Sequence, residues 1–283
     1  MKTEVLYGIH PVYEALSAGR RRIYGIFLAQ EKKNVRLKPI LSLAESRGIS
    51  RQTLAAAEFK ALVGPVLHQG VAARVSPYPL IPLNEILLSS RAGNDHFFLL
   101  MLDNIVDPQN LGALIRTALC VGVDGVILPK GNCATPTPAV SRASAGALEH
   151  IQLSRVTNMV QTIKLCKNRG LWIVGLLKDA PQQLYAGDLT GSIALVLGGE
   201  QKGIRPLVRK NCDFLLSIPQ QGPVDSLNAA AAGAVAMYEA WRQRTEDRRQ
   251  MTEDRGQRTE DRGQMTEDRG QMTEDRGQMT DDR

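Results

Sequence analysis

Three short stretches concentrate polar residues between an apolar, strand-like run and a helix-like run. They are DNIVDPQNLGALIRTAL (103–119), LVLGGEQKGIRP (195–206) and SIPQQGPVDSLNAAAAGAVAMYEAWRQR (217–244). In α/β sheets, junctions at the carboxyl ends of strands are where ligands bind. In the second stretch Gly198 and Gly199 separate strand from helix, an arrangement that usually cradles phosphate on backbone N–H groups. Glu200 follows at once, and a carboxylate does not belong at the centre of a phosphate cradle. The stretch therefore asks for a ligand that tolerates, or requires, that acid.

The first stretch has a good structural account. Asp107 caps a helix, Pro108 takes its first position, and Leu111, Leu114, Ile115, Ala118 and Leu119 form the buried stripe. Asn110, Gly112 and Arg116 are left over. Gly112 and Arg116 are four apart and share a face, where glycine costs nearly 1 kcal/mol but permits a close approach. An arginine one turn on can meet a phosphate or carboxylate, or serve in a structural salt bridge. In the third stretch Ser226 and Asn228 flank Leu227 at a helix start, with Asp225 or Ser226 as the expected N-cap. The small residues from 229 to 236 let that helix sit close to a core or to another subunit, while Leu227, Ala231, Ala234, Tyr238 and Trp241 share one face.

These junctions need a scaffold. From His96 onward FFLLMLD, GVILP, LWIVGLL, SIALVLG and FLLSIP are nearly continuous apolar runs, as expected of strands buried on both faces of a parallel sheet. Helices are expected over 108–121, 137–147, 158–169, 204–211 and from about 225 to 244. Residues 1–75 read as a small α/β unit, with a short helix after Pro11, a strand at IYGIFLA (23–29), an amphipathic helix over 35–48 and a strand at GVAARV (70–75). The expected division is 1–77, a linker over 78–95 holding one short helix, 96–244, and a tail over 245–283. The fold class is α/β with a mainly parallel sheet.

The net charge of +6 is unevenly spread: residues 1–244 carry 27 Lys and Arg against 17 Asp and Glu, and the tail carries 8 against 12. A basic body suits a polyanion, RNA or DNA ahead of a membrane. Arg20, Arg21, Arg22, Lys32 and Lys33 are the candidate phosphate contacts. Four dispersed cysteines without a CxxC and four histidines argue against a disulfide framework or a metal site. No run is long enough to span a membrane and the N-terminus lacks a signal-peptide core, so a cytoplasmic setting is expected. The tail repeats MTEDRGQ with at most one apolar residue per repeat, too few for a coiled-coil seam, and reads as a disordered appendage. Neither GxxxxGK[ST] nor GxGxxG is present.

The order N-x-G-x-x-x-R-T-A (110–118), L-G-G-E-Q-K-G (197–203) and S-I-P-x-x-G-x-x-x-S-L-N-A (217–229) resembles the three motifs of the SpoU (TrmH-like) RNA ribose 2′-O-methyltransferases of the SPOUT class. LYGIHPVYEAL (6–16) and HQGVAARV (68–75) are similar to the substrate-binding domain of the branch that holds the bacterial 23S rRNA guanosine 2′-O-methyltransferase. The resemblance implies a C-terminal trefoil knot, S-adenosylmethionine as cofactor, a homodimer, and 23S rRNA as substrate. It implies cofactor contacts around Gly198, Ile218 and Leu227, and catalytic roles for Arg116, Asn110, Glu200, Ser226 and Asn228. Arg116 is expected to bind the adjacent phosphate and stabilise the developing alkoxide, oriented by Asn110 and Glu200, since a guanidinium is a poor base. A sulfonium cofactor has no phosphate, so an acid in its glycine loop is no contradiction. The same chemistry on tRNA or another rRNA site, or a non-catalytic RNA-binding role in ribosome assembly, are the competing readings.

Overall fold

The computed structural model describes residues 2–30, 35–88, 96–221, 226–247 and 249–250. The N-terminal part runs β1 (Glu4–Tyr7), α1 (Ile9–Ala18), β2 (Ile23–Ala29), α2 (Lys38–Ser46), β3 (Arg51–Leu54), α3 (Ala56–Val63) and β4 (Val71–Val75). Its four strands form one sheet in the order β1-β4-β2-β3, antiparallel except for the β2–β3 pair. The rest of the described chain runs α4 (Leu83–Leu88), β5 (Phe98–Asp103), α5 (Pro108–Cys120), β6 (Gly125–Pro129), α6 (Pro138–Ala143), β7 (Leu153–Val156), α7 (Met159–Lys167), β8 (Trp172–Leu176), β9 (Gln182–Gln183), β10 (Ile193–Gly198), α8 (Pro206–Lys210), β11 (Phe214–Ser217) and a last helix, α9, over 229–247.

The second sheet has seven strands in the order β7-β6-β5-β10-β8-β11-β9, and its pairings are all parallel. Every residue of β5 is buried, with Leu100 and Leu102 in one core and Leu99 and Met101 in the other. Alternation across the pleat sends neighbours to opposite faces, which is why the run must be continuously apolar. The first core lies under α5, α6 and α9 (Leu114, Val140, Met237) and the second under α4, α7 and α8 (Ile86, Ile163, Val208). The expected α/β class with a mainly parallel sheet is the one observed. No helix among the described residues is long and apolar enough to cross a membrane.

Several local expectations change. The helix expected over 137–147 stops at Ala143, because Ala145 and Gly146 turn at φ 52° and 87°. β1, β3, β7 and β9 were not expected; all are two to four residues long, and β7 carries Ser154 and Arg155 in place of an apolar run. The final helix is helical from 229 rather than from about 225, and the Asn228 side chain, not Ser226, accepts from the N–H groups of Ala230 (2.9 Å) and Ala231 (3.2 Å). Asp225 lies outside the described residues.

The two sheets are joined through α6 and the turn that follows it. Arg21 is 3% exposed and its guanidinium bonds Glu149 (2.7 and 3.2 Å) and Glu4 (2.6 Å). Arg20 donates to the carbonyl of Ile151, which also accepts from the Tyr78 hydroxyl at 2.5 Å. His150 meets Glu14 at 2.7 Å. Tyr78, at the start of the expected linker, is thus buried and fixed.

Candidate active site

β5, β10 and β11 end on the same edge of the sheet, and the loops leaving them converge there. The turn after β10 is pressed onto the end of β5. Gly199 N–H donates to the Asp103 carbonyl (2.9 Å), and Gly203 N–H donates back to the Gly199 carbonyl (2.7 Å). A Cβ on Gly199 would lie 2.0 Å from the Asn104 carbonyl oxygen, and one on Gly198 would lie 2.2 Å from the Gly203 carbonyl carbon. Glycine is required at both because backbone meets backbone. Gly203 differs: its φ is +55° and a Cβ there would point into open space.

Beneath the turn lies a buried acid. Asp103 is 0% exposed and accepts from Arg205 N–H (2.9 Å) and Arg205 Nε (2.8 Å), with Nη2 also at 2.8 Å. Together with the Gly199 N–H bond to the Asp103 carbonyl, the pair ties both ends of the 199–205 loop to the end of β5. Neither residue stood out in the three motifs; the signal was an Asp closing a fully apolar strand at its carboxyl end.

Above the turn, three motif residues form one cluster. Glu200 Oε1 accepts from Asn228 Nδ2 (2.5 Å), Asn110 Nδ2 (3.2 Å) and Ala229 N–H (3.4 Å). Asn228 Nδ2 also reaches Asn110 Oδ1 at 3.0 Å. Asp107 caps α5 as expected, accepting from the N–H groups of Gln109 and Asn110 (3.1 and 3.3 Å). Both asparagines are therefore held by helix starts and point their amides at one carboxylate oxygen.

Two clefts meet at this cluster. One, of about 230 Å³, is lined by Gly198, Ile218 and Leu227, with Ser226, Gly203 and Lys178 at its edge. The residues expected to contact cofactor thus share one cleft. The other, of about 310 Å³, is lined by Asn104, Asp107, Asn110, Asn132 and Lys202. Gly199, Glu200 and Ala229 line both, so Glu200 stands on the wall between them. Asn132, Lys178 and Lys202 were not singled out in the sequence. Burial pushes the thiol of Cys133, beside Ile105, up to about 11, which disfavours the thiolate.

Arg116 is placed differently from the expectation. It is exposed on α5, lines neither cleft, and bonds neither Asn110 nor Glu200, so those two orient one another instead. The close approach allowed by Gly112 is that of α6: a Cβ would lie 2.4 Å from the Ala143 Cβ. Of the candidate phosphate contacts, Arg21 is withdrawn by its buried ion pairs and Arg20 is engaged with Ile151 and Tyr78. Arg22 is exposed, stacked 5.4 Å over the Tyr24 ring. Lys32 and Lys33 lie outside the described residues.

Fold and site together define a ligand-binding α/β enzyme of the SPOUT class. Residues 98–238 match the SpoU rRNA Methylase family and residues 5–80 match the RNA 2′-O ribose methyltransferase substrate binding family. The chain is 40% identical over 248 residues to the 23S rRNA (guanosine-2′-O-)-methyltransferase RlmB of Pseudomonas putida, covering 87% of this chain and 98% of the relative. It is 37% identical to RlmB of Escherichia coli, with 86% and 100% covered. Among solved structures, the SpoU methyltransferase AviRb from Streptomyces viridochromogenes in complex with AdoMet superposes with a TM-score of 0.72 at 26% identity, over 86% of this chain and 91% of that one. The chain belongs to the SpoU rRNA methylase family.

Proposed function

We propose that this protein transfers a methyl group from S-adenosylmethionine to the ribose 2′-hydroxyl of a guanosine in 23S rRNA. The observation that carries this is the pair of clefts sharing Glu200, one lined by the glycine loop and the other by an amide-rich wall, in a chain so similar to RlmB over nearly the full length of that enzyme.

The residues of the smaller cleft fit S-adenosylmethionine. Leu197, Ile218 and Leu227 offer apolar walls to an adenosine, and Gly203 leaves the space a side chain would fill. When bound, the cofactor supplies an electrophilic methyl on a sulfonium, and Glu200 gives the cleft a negative edge suited to that cation. The Asp103–Arg205 pair holds the loop in this shape. Asn110 and Asn228 fix Glu200, and Ser226 shapes the cleft beside it. Arg116, exposed on α5, is assigned to an RNA phosphate. Arg22, with Lys32 and Lys33, is assigned to RNA gripped by the N-terminal unit.

We further assign 1–77 to RNA binding, 78–95 to the linker, 96–244 to the methyltransferase unit and 245–283 to the appended repeats. The two separate sheets support this division. A homodimer is supported by the outer face of α9, where Val235, Tyr238 and Trp241 are exposed together. A C-terminal knot is supported by the return of residues 228–233 from beyond β11 to Glu200, Leu197 and Leu114. A cytoplasmic location is our assignment, supported by the similarity to relatives that act on 23S rRNA.

The test is methyl transfer from labelled S-adenosylmethionine to unmodified 23S rRNA, 16S rRNA and tRNA, followed by mapping of 2′-O-methyl sites. One guanosine in 23S rRNA, lost with Arg116→Ala, is the expected result. Labelling of tRNA would replace the substrate. Absence of both transfer and cofactor binding would leave an RNA-binding protein.

A further inference from the structure

The stretch HQGVAARV (68–75) enters β4 through a tight turn in the N-terminal unit. Val71 N–H donates to the His68 carbonyl (3.3 Å), and the two residues between them, Gln69 and Gly70, have φ of 55° and 80°. Glycine adopts such an angle freely and glutamine does not. Gln69 is held there by its side chain, whose Oε1 accepts from Ile9 N–H at 3.1 Å. The turn fixes His68 as well. Gly70 N–H donates to His68 Nδ1 (3.1 Å), so the neutral ring carries its proton on Nε2. The imidazole lies 4.7 Å from the ring of Phe59, which is 1% exposed.

These two rings line a cavity of about 540 Å³ between the end of β2, α3 and the 64–68 loop. Ala56, Val66 and Leu67 extend its apolar lining, and exposed Lys60 adds a positive charge. Leu67 is 73% exposed. An exposed leucine or a histidine packed on a core ring is ordinary when it stands alone. Here both converge on one cavity with a cation beside them. Apolar walls, an aromatic pair, an N–H donor and an ammonium suit a flat heterocycle joined to a phosphate. The surroundings say which source supplies it. Residues 1–77 carry 12 Lys and Arg against 5 Asp and Glu, and Glu58 on α3 is turned back onto Ala55 N–H at 3.1 Å. Such a surface attracts a polyanion rather than a free nucleotide. The turn also borders the methyltransferase unit: Gln69 Oε1 and Arg142 Nη1 of α6 both lie 3.3 Å from where a Cβ on Gly8 would stand. A base inside a duplex is paired and stacked on both sides, so only an unpaired one can enter a cavity of this kind.

We propose that this cavity captures one unpaired nucleobase of the RNA substrate, as a recognition site separate from the one where the methyl group is transferred. This rests on the RNA methyltransferase reading above. The base packs against the His68 ring and Leu67, His68 Nε2–H donates to an acceptor on the base edge, and Lys60 meets the adjoining phosphate. The site adds an anchor that a fully paired helix cannot use.

The test uses the full chain and unmodified 23S rRNA. His68→Asn removes the ring while the amide oxygen takes over as acceptor for Gly70 N–H, and Leu67→Ala trims a side chain already in water. RNA affinity is measured by filter binding over a range of salt, and base-specific chemical footprinting is done at saturating protein. Melting curves and calorimetry with S-adenosylmethionine serve as controls. The expected result is an affinity loss of about 5- to 100-fold in His68→Asn with an unchanged salt slope, a smaller loss in Leu67→Ala, and a slope reduced by about 0.7 in Lys60→Ala. Wild type protects one unpaired base that His68→Asn leaves reactive, while the rest of the footprint persists. Melting and cofactor affinity stay at wild-type values, and methylation loses through KM with kcat retained. RNA affinity within about twofold of wild type in both His68→Asn and Leu67→Ala would overturn the proposal, as would a footprint that fades evenly instead of at one base. Binding and footprinting need no methyl transfer, so the two readings fail separately: a wild type that protects the base yet methylates no RNA sinks only the proposed function.

Discussion

Arg21 and Glu149 form an ion pair at 2.7 Å whose side chains are 0% and 1% exposed, and it joins the four-stranded sheet to the turn after α6. Ser141 Oγ donates to the same carboxylate at 2.8 Å. Burial pushes the Glu149 carboxyl above its ordinary value even though Arg21 pulls it down, so desolvation outweighs pairing. Removing one partner leaves a buried charge uncompensated. Arg21→Ala is expected to cost about 3–5 kcal/mol in urea unfolding, and the double replacement Arg21→Met with Glu149→Leu to recover most of it. A double variant as unstable as the single one would contradict this account.

Gly112→Ala sets helix propensity against packing. Alanine gains up to about 1 kcal/mol in an isolated helix. Here its Cβ would lie 2.4 Å from the Ala143 Cβ and 2.9 Å from the backbone of Ala143 and Ser144 at the end of α6. Overpacking of this kind costs about 1–3 kcal/mol, so the variant is expected to melt lower than wild type. A higher melting temperature would show that α6 can move aside freely.

Asp103→Asn keeps the shape of the side chain and removes the charge that holds Arg205. The loop that shapes the proposed cofactor cleft would lose its anchor while the core stays intact. Cofactor dissociation is expected to rise about tenfold, the value of one charged hydrogen bond near 1.4 kcal/mol. Calorimetric titration with S-adenosylmethionine reads this directly, and an unchanged affinity would show that the glycine contacts suffice.

Glu239 on α9 accepts from Arg242 (2.8 and 3.0 Å) and Gln243 (2.8 Å), and these bonds hold its carboxyl below the ordinary 4.5. A depressed carboxylate binds fewer protons folded than unfolded between the two values, so its contribution is complete above 4.5 and is lost as pH falls through the folded value. Glu239→Gln is expected to be less stable than wild type at neutral pH, and the gap to close in acid. Melting curves from about pH 3 to pH 7 give the comparison; a gap independent of pH would leave the carboxylate without this part.

The strands of the parallel sheet were legible because burial on both faces demands uninterrupted apolar runs, and β5, β6, β8 and β10 carry them. The short strands were not. β7 has two polar residues in four, and β9 is a two-residue edge whose place comes from pairing with β11. At the candidate site, motif order brought Asn110, Glu200 and Asn228 to notice, and Gly198, Ile218 and Leu227, expected to contact cofactor, fall in one cleft. Arg20 and Arg21 read as phosphate contacts because charge counts on a linear chain carry no burial.

What the sequence determined by itself was local and additive: the periodicity that makes a buried parallel sheet, the cap at Asp107, the glycines that admit backbone contact, and the family its motifs mark. What only the tertiary structure decided was which charges find partners. Glu4, Glu149 and Asp103 lie 17, 128 and 102 residues from the arginines they bind, and Asn228 lies 118 residues from Asn110. An ion pair or amide contact depends on distance and desolvation in space, and neither is written in residue spacing once the chain crosses between sheets. The same arginine is a surface charge or a buried latch according to what the fold lays over it.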